Sequence, residues 1–80
     1  MPPMRHDRIS IDPQVMGGKP CIKATRIPVD LLLHEMGDGE TIDDLLKAYP
    51  HLVREDLFAA LKYAAHIILD TYIIDDPEGP

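Results

Sequence analysis

The sequence lacks the means by which many small proteins stabilise a fold. Its 80 residues include one cysteine, no tryptophan, three tyrosines and one phenylalanine. The single cysteine, Cys21, excludes an internal disulfide, and aliphatic side chains must fill the core. A chain of this length buries roughly 60% of the surface that its unfolded form exposes, so its stability alone is marginal. We therefore expect one small domain that gains stability from oligomerisation.

Long hydrophobic runs are also missing. The chain contains no stretch of about 18 apolar residues, so no segment is expected to span a membrane. The first twelve residues, MPPMRHDRISID, lack the apolar centre of a signal peptide. Together with the unpaired cysteine, these features predict a soluble, reduced, cytoplasmic protein.

Basic charge is scarce and unevenly distributed. The formal net charge is −6. Residues 1–27 contain five basic and two acidic side chains, a net +3, whereas residues 28–80 contain three basic and twelve acidic ones, a net −9. Such a chain lacks the general basic surface of nucleic-acid-binding proteins. Any contact with DNA is therefore expected from a local patch, chiefly in the N-terminal third.

Two short strands are predicted as a β arm over residues 9–27. Ile9-Ser10-Ile11 alternates apolar and polar side chains, and the segment from Cys21 to Ile27 is alternating and rich in β-branched residues. Between them, Met16–Pro20 contains two glycines that can supply the positive φ angles of a turn. Two strands alone are not stable in water, so the arm must pack on helices or on another chain.

Three amphipathic helices are predicted downstream, at about residues 28–37, 41–49 and 54–70. In the first two, apolar side chains recur at i, i+3, i+4 and i+7. Pro28 suits the first helical position and Thr41 suits an N-cap. The buried stripe of the third helix is assigned to Leu57, Leu61, Ala64 and Ile68.

The order of these elements indicates a fold class. Three helices with two tight connections, the last helix being the longest, predict a mainly α, tri-helical bundle of helix-turn-helix type with a short N-terminal β arm. We assign residues 9–70 to this single domain, residues 1–8 to a flexible N terminus and residues 71–80 to a C-terminal tail.

The sequence contains no recognisable catalytic or metal-binding arrangement. Its histidines have none of the spacings typical of metal sites. Cys21 has no base near it in the sequence to activate the thiol, and Asp43 and Asp44 are explained as first-turn partners of a helix dipole. We therefore expect no metal, no cofactor and no enzymatic activity. The histidines are His6, His34, His51 and His66.

Several motifs, taken in order and spacing, resemble one family. They are Asp12-Pro13, Gly17-Gly18-Lys19-Pro20-Cys21-Ile22, Thr25-Arg26-Ile27-Pro28-Val29, Leu45-Leu46, Tyr49-Pro50, Glu55-Asp56-Leu57 and the run from Ala59 to Ala65. Over roughly residues 8–66 they resemble the small bacterial family catalogued as domain of unknown function 433 (DUF433).

That resemblance implies a homeodomain-like, winged-helix-like tri-helical fold with an N-terminal β arm. It also implies a VapB-like antitoxin of a type II toxin–antitoxin pair, which blocks a PIN-like ribonuclease toxin and represses its own operon by binding operator DNA.

Two positions depart from the family's pattern. The family usually has glycine before Thr25-Arg26, where this chain has Ala24, and a positive φ there would strain an alanine. A serine or threonine N-cap commonly precedes the third helix, where this chain has Val53. Losing such a cap costs about 1 kcal/mol, so this helix is expected to fray at its start.

The leading hypothesis is a non-catalytic antitoxin that forms a homodimer through its β arm, with the C-terminal tail as a second candidate contact. Contacts to DNA phosphates are expected from basic side chains on the N-terminal third and the third helix, namely Arg5, Arg8, Lys19, Lys23, Arg54 and Lys62. A partner protein is expected to meet apolar side chains of the third helix and tail, namely Phe58, Tyr63, Tyr72, Ile73 and Ile74. The alternative is a protein-interaction or dimerisation module with no DNA-binding activity.

Arg26 permits two interpretations. In the functional interpretation it contacts a DNA phosphate or a partner carboxylate. In the structural interpretation it pairs with Asp30 and fixes the corner between the second strand and the first helix. We favour the structural pairing.

Overall fold

The computed structural model describes residues 6–71 of the chain. It contains a two-stranded antiparallel sheet followed by three helices, which confirms the predicted fold class. The elements are β1 (Ile9–Ser10), β2 (Cys21–Ile22), α1 (Val29–Gly37), α2 (Ile42–Ala48) and α3 (Arg54–Thr71).

The hairpin is shorter than the sequence predicts. Ile9 lies opposite Ile22, and a 3-10 turn at Met16–Gly18 connects the strands. β2 ends at Ile22 because the chain turns back at once: the Thr25 N–H donates to the Ile22 carbonyl at 3.0 Å. Ala24 closes this turn with a φ of 65°. The strain that the departure from the family pattern predicts is therefore present.

The first helix begins one residue later than expected. Pro28 has an extended ψ of 146° and is the N-cap of α1, not its first helical residue. Its carbonyl accepts the first helical hydrogen bond, from the Leu32 N–H, as a cap residue does. In α2 the predicted cap is confirmed: Thr41 and Asp44 form a reciprocal capping box.

One apolar core joins the hairpin to all three helices. It draws side chains from β2, from each helix and from the α2–α3 connection. Its buried members are Ile22, Val29, Leu32, Leu45, Leu52, Leu57 and Ala60.

The buried stripe predicted for α3 is wrong at two of its four positions. Leu61 is 43% exposed and Ile68 is 64% exposed, whereas Ala60 is fully buried. α3 has 18 residues and α1 has nine, so α3 is about 27 Å long against about 13 Å. The C-terminal half of α3 therefore continues past the helices that pack on its first half. Within residues 6–71, no helix combines the length and apolar character needed to cross a membrane.

Candidate functional site

Asp56 organises the first turn of α3. Its Oδ2 accepts the backbone N–H of Val53 at 2.9 Å, and its Oδ1 accepts a hydrogen bond from Arg8 Nη1 at 2.9 Å. Asp56 thus provides one half of a capping box, a side-chain acceptor for the Val53 N–H, whereas Val53 itself has no side-chain acceptor to offer the helix. Fraying at the start of α3 stays a prediction. Asp56 is only 7% exposed, so water solvates its carboxylate poorly, and the Arg8 guanidinium balances its negative charge.

Three of the five predicted DNA-contacting cations in residues 6–71 form ion pairs there. Besides Arg8 with Asp56, Lys19 Nζ lies 3.2 Å from Asp30, and Arg54 pairs with Asp43. The Lys19 and Arg54 pairs are solvent-exposed, so each contributes at most about 1 kcal/mol and can exchange its acid for another anion. The Arg8 pair is different, since breaking it leaves a buried carboxylate uncompensated.

The other two predicted cations that the structure describes lie on different parts of the chain. Lys23 is exposed beside the hairpin, Lys62 is exposed on α3, and Arg5 lies outside the described residues. Arg8 and Lys62 line a common shallow groove of about 300 Å³, which also contains the acids Asp7 and Glu55. The charge of this groove is therefore mixed.

An apolar surface runs along the solvent side of α3. Phe58 is 51% exposed, Ile68 64% and Leu69 56%, and Leu61 and Ala65 lie between them. At 100° per residue these five positions fall within an arc of about 100°, so they share one side of the helix. We call this set of five residues the α3 outer face.

The predicted partner-binding residues fall in three places. Phe58 lies on the α3 outer face, as expected. Tyr63 is half-buried against the core, and its ring meets His6 edge-on with centroids 5.0 Å apart. Tyr72, Ile73 and Ile74 lie outside the described residues. Three further surface residues, Leu61, Ile68 and Leu69, were not expected there from the sequence, although α3 holds more apolar positions than one buried face can accommodate.

Two histidines hold the segment before β1 against α3. His66 Nδ1 lies 2.9 Å from His6 Nε2, a hydrogen-bond distance, and the ring centroids are 4.8 Å apart. His34 and His51 are exposed elsewhere. Within residues 6–71 no three histidine, cysteine or acidic side chains converge as metal ligands would.

Cys21 is buried in β2, as the sequence predicts, and its Sγ lies 3.4 Å from the Lys19 carbonyl oxygen. Burial raises the pKa of the Cys21 thiol, the negative charge of Asp30 raises it further, and Lys19 opposes both. A raised pKa keeps the sulfur protonated near neutral pH, and a protonated thiol is a poor nucleophile.

Arg26 does not form the structural pair that we favoured. Asp30 pairs with Lys19 instead. In the described part of the chain Arg26 has neither a hydrogen bond nor an ion pair. Its exposed side chain lines a groove of about 660 Å³ beside the hairpin. Other lining residues are Asp12, Val15, Ala24, Ile27 and His51.

Comparisons with known proteins agree with the motif resemblance. A profile of the family described as "Protein of unknown function (DUF433)" matches residues 9–64. The uncharacterized protein y4eO of Sinorhizobium fredii is 30% identical over 56 residues, which make up 70% of this chain and 25% of that protein. The crystal structure of a DUF433 member from Anabaena variabilis superposes with a TM-score of 0.73 at 42% identity, covering 75% of this chain and 59% of that one.

The chain thus spans a quarter of one relative and about three fifths of the other. Since the family profile covers most of its length and a 42% identical member shares its fold, this chain belongs to the DUF433 family.

Proposed function

We propose that this chain is the antitoxin of a toxin–antitoxin pair. It acts without catalysis, by binding its toxin through the α3 outer face. The toxin class is the PIN-like ribonuclease that the family resemblance implies. The observation that supports this function is the exposed apolar surface of α3, which is bordered by charged side chains at its Phe58 end. Monomeric proteins rarely expose contiguous apolar surface of this kind unless it binds something.

The exposed area on α3 is large enough to matter for binding. Phe58, Ile68 and Leu69 are each about half exposed, and Leu61 is 43% exposed. Full burial of such a side chain is worth about 1.5–3 kcal/mol, so covering the exposed half contributes about 1 kcal/mol for each. Phe58 is the natural anchor, because aromatic side chains dominate the energy of protein interfaces.

Repression of the chain's own operon through α3 stays a prediction. To contact a DNA phosphate, Arg54 would have to break its ion pair with Asp43, and the Glu55 carboxylate would lie next to that phosphate. Both acids raise the electrostatic cost of approaching DNA. These charges favour the alternative function, a protein-interaction module without DNA-binding activity.

Co-expression with the adjacent reading frame tests the protein-binding proposal. The affinity tag is placed only on the protein encoded by the adjacent frame, and light scattering measures the molar mass of the species that co-elutes. We expect a complex of defined mass that Ile68→Asp disrupts and Ala48→Asp leaves intact, since Ala48 is exposed on α2. If the wild-type chain elutes without its neighbour, the antitoxin proposal fails. If Ile68→Asp still forms the complex, the α3 outer face is the wrong surface.

A salt series tests operator binding separately. Fluorescence anisotropy with DNA from upstream of the gene should show log affinity falling steeply with log salt, and Arg54→Glu should abolish binding. No binding at low salt, or binding independent of salt, would leave only the protein-interaction module.

A further inference from the structure

A groove of about 660 Å³ beside the hairpin is lined by residues other than those of the α3 outer face. Its apolar wall is formed by Val15, Ala24 and Ile27, and Arg26 supplies a cation with no partner in residues 6–71. Asp12, the acid in the groove, accepts the Gln14 N–H through Oδ1 at 2.9 Å and forms no ion pair with Arg26 within residues 6–71. Apolar surface beside an unpaired guanidinium suits a segment with apolar side chains followed by a carboxylate.

The groove lies at the N-terminal end of α3. His6 contacts His66, and two residues later Arg8 contacts Asp56, so the chain entering β1 runs along α3 towards its first turn. His51 lines the groove and precedes the first residue of α3 by three positions. Thr71, at the far end of α3, is 17 residues from Arg54, which corresponds to a rise of about 26 Å.

The sequence that follows α3 has the composition that the groove suits. Tyr72-Ile73-Ile74 is apolar and Asp75-Asp76 is acidic. Four fully extended residues span at most about 14 Å, so Asp75 cannot return from Thr71 to the groove of its own chain. The groove of a second copy carries no such restriction.

We propose that the groove receives the segment Tyr72–Asp76 of a second copy of this chain. In this arrangement Ile73 and Ile74 cover the apolar wall, and the following carboxylates pair with Arg26. Each copy donates one segment and receives one, which gives a closed dimer with two identical contacts. The contact does not use the α3 outer face, so it is independent of the toxin-binding proposal.

Charge reversal on the full chain tests this contact. Sedimentation equilibrium should show a reversible wild-type dimer. We expect Arg26→Glu alone, and Asp75→Lys with Asp76→Lys as a second variant, each to raise the dissociation constant about tenfold or more, since each opposes like charges. Lys47→Glu, an equal charge change on α2, should leave the dimer unchanged, and circular dichroism should confirm the fold of every variant.

The decisive measurement mixes the two charge-reversed variants. In a mixed dimer, the acidic segment of one variant meets the wild-type Arg26 of the other, and the lysine segment meets Glu at position 26. Both contacts are then favourable, so the mixture should dimerise more tightly than either variant does alone. A wild-type chain that is monomeric throughout, an Arg26→Glu dimer of unchanged affinity, or a mixture that dimerises no more tightly than either variant alone would each overturn the proposal. None of these measurements requires the toxin.

Discussion

Replacing Ala24 by glycine should stabilise this protein, which is an unusual expectation for an alanine-to-glycine change. Ala24 has a φ of 65° in an exposed turn. The left-handed region costs an L-residue roughly 1–2 kcal/mol, because Cβ crowds the following carbonyl oxygen. Glycine avoids that cost.

The gain in stability from Ala24→Gly is partly offset by an effect on the unfolded state. Glycine adds conformational freedom to the unfolded chain, which costs about 0.4–1 kcal/mol of stability. The difference predicts that Ala24→Gly raises the free energy of unfolding by about 0.8 kcal/mol. For a domain of this size that corresponds to a rise in Tm of about 3–6 °C.

Urea unfolding followed by circular dichroism measures this difference directly. The matched control is Ala65→Gly, because Ala65 is exposed within α3 and has helical backbone angles. There the same substitution should destabilise the protein by about 1 kcal/mol. The two changes should therefore have opposite signs. If Ala24→Gly also destabilises the protein by about that amount, the strain assigned to this turn does not exist.

The remaining predictions concern three polar contacts. Asp56→Ala should lower the free energy of unfolding by about 2–3 kcal/mol, because it removes both the acceptor of the Val53 N–H and the partner of Arg8. A double-mutant cycle with Arg8→Ala should show coupling in urea unfolding, and strict additivity would contradict the pair. Burial raises the pKa of Tyr49, and its hydrogen bond to Glu35 and that residue's charge raise it further. The unfolded state then loses the tyrosine proton first, so stability should fall as pH rises past about 10. Tyr49→Phe should flatten that fall, and an unchanged slope would refute the assignment. Hydrogen bonds from Thr41, first from its backbone and then from its side chain, lower the pKa of Asp44. This contribution is present above the ordinary carboxyl pKa of about 3.9 and is lost as pH falls through the lower folded value. A carboxyl NMR titration of Thr41→Ala should show the Asp44 midpoint moving up in part, because the substitution removes the side chain of residue 41 but keeps its backbone N–H. No movement would exclude the Thr41 side chain as a cause.

Local signals predicted most of the helix boundaries. The predicted third helix, 54–70, differs from α3 by one residue, and Thr41 caps α2 as expected. These ends depend on neighbouring residues only, because caps and helix-breaking prolines act within one turn. The end of β2 was harder to predict, since it depends on an alanine adopting a conformation that alanine ordinarily avoids.

The candidate site was predictable only in part. Phe58 was assigned to a partner surface from the sequence, and it lies on the α3 outer face. Leu61 and Ile68 were assigned to the core from their spacing, and both are exposed. Periodicity identifies positions that share a side of a helix, but it does not reveal how much of that side a neighbouring element covers.

The sequence by itself determined the element order, the amphipathic helices and the turn residues, because each follows from the local preferences of the backbone and the spacing of apolar side chains. Only the tertiary structure decided which charges meet. Arg8 and Asp56 are 48 positions apart in the sequence, and Asp30 forms its ion pair with Lys19 rather than with Arg26. The packed core sets such distances, and Coulomb interactions depend on distance in space rather than on separation along the chain.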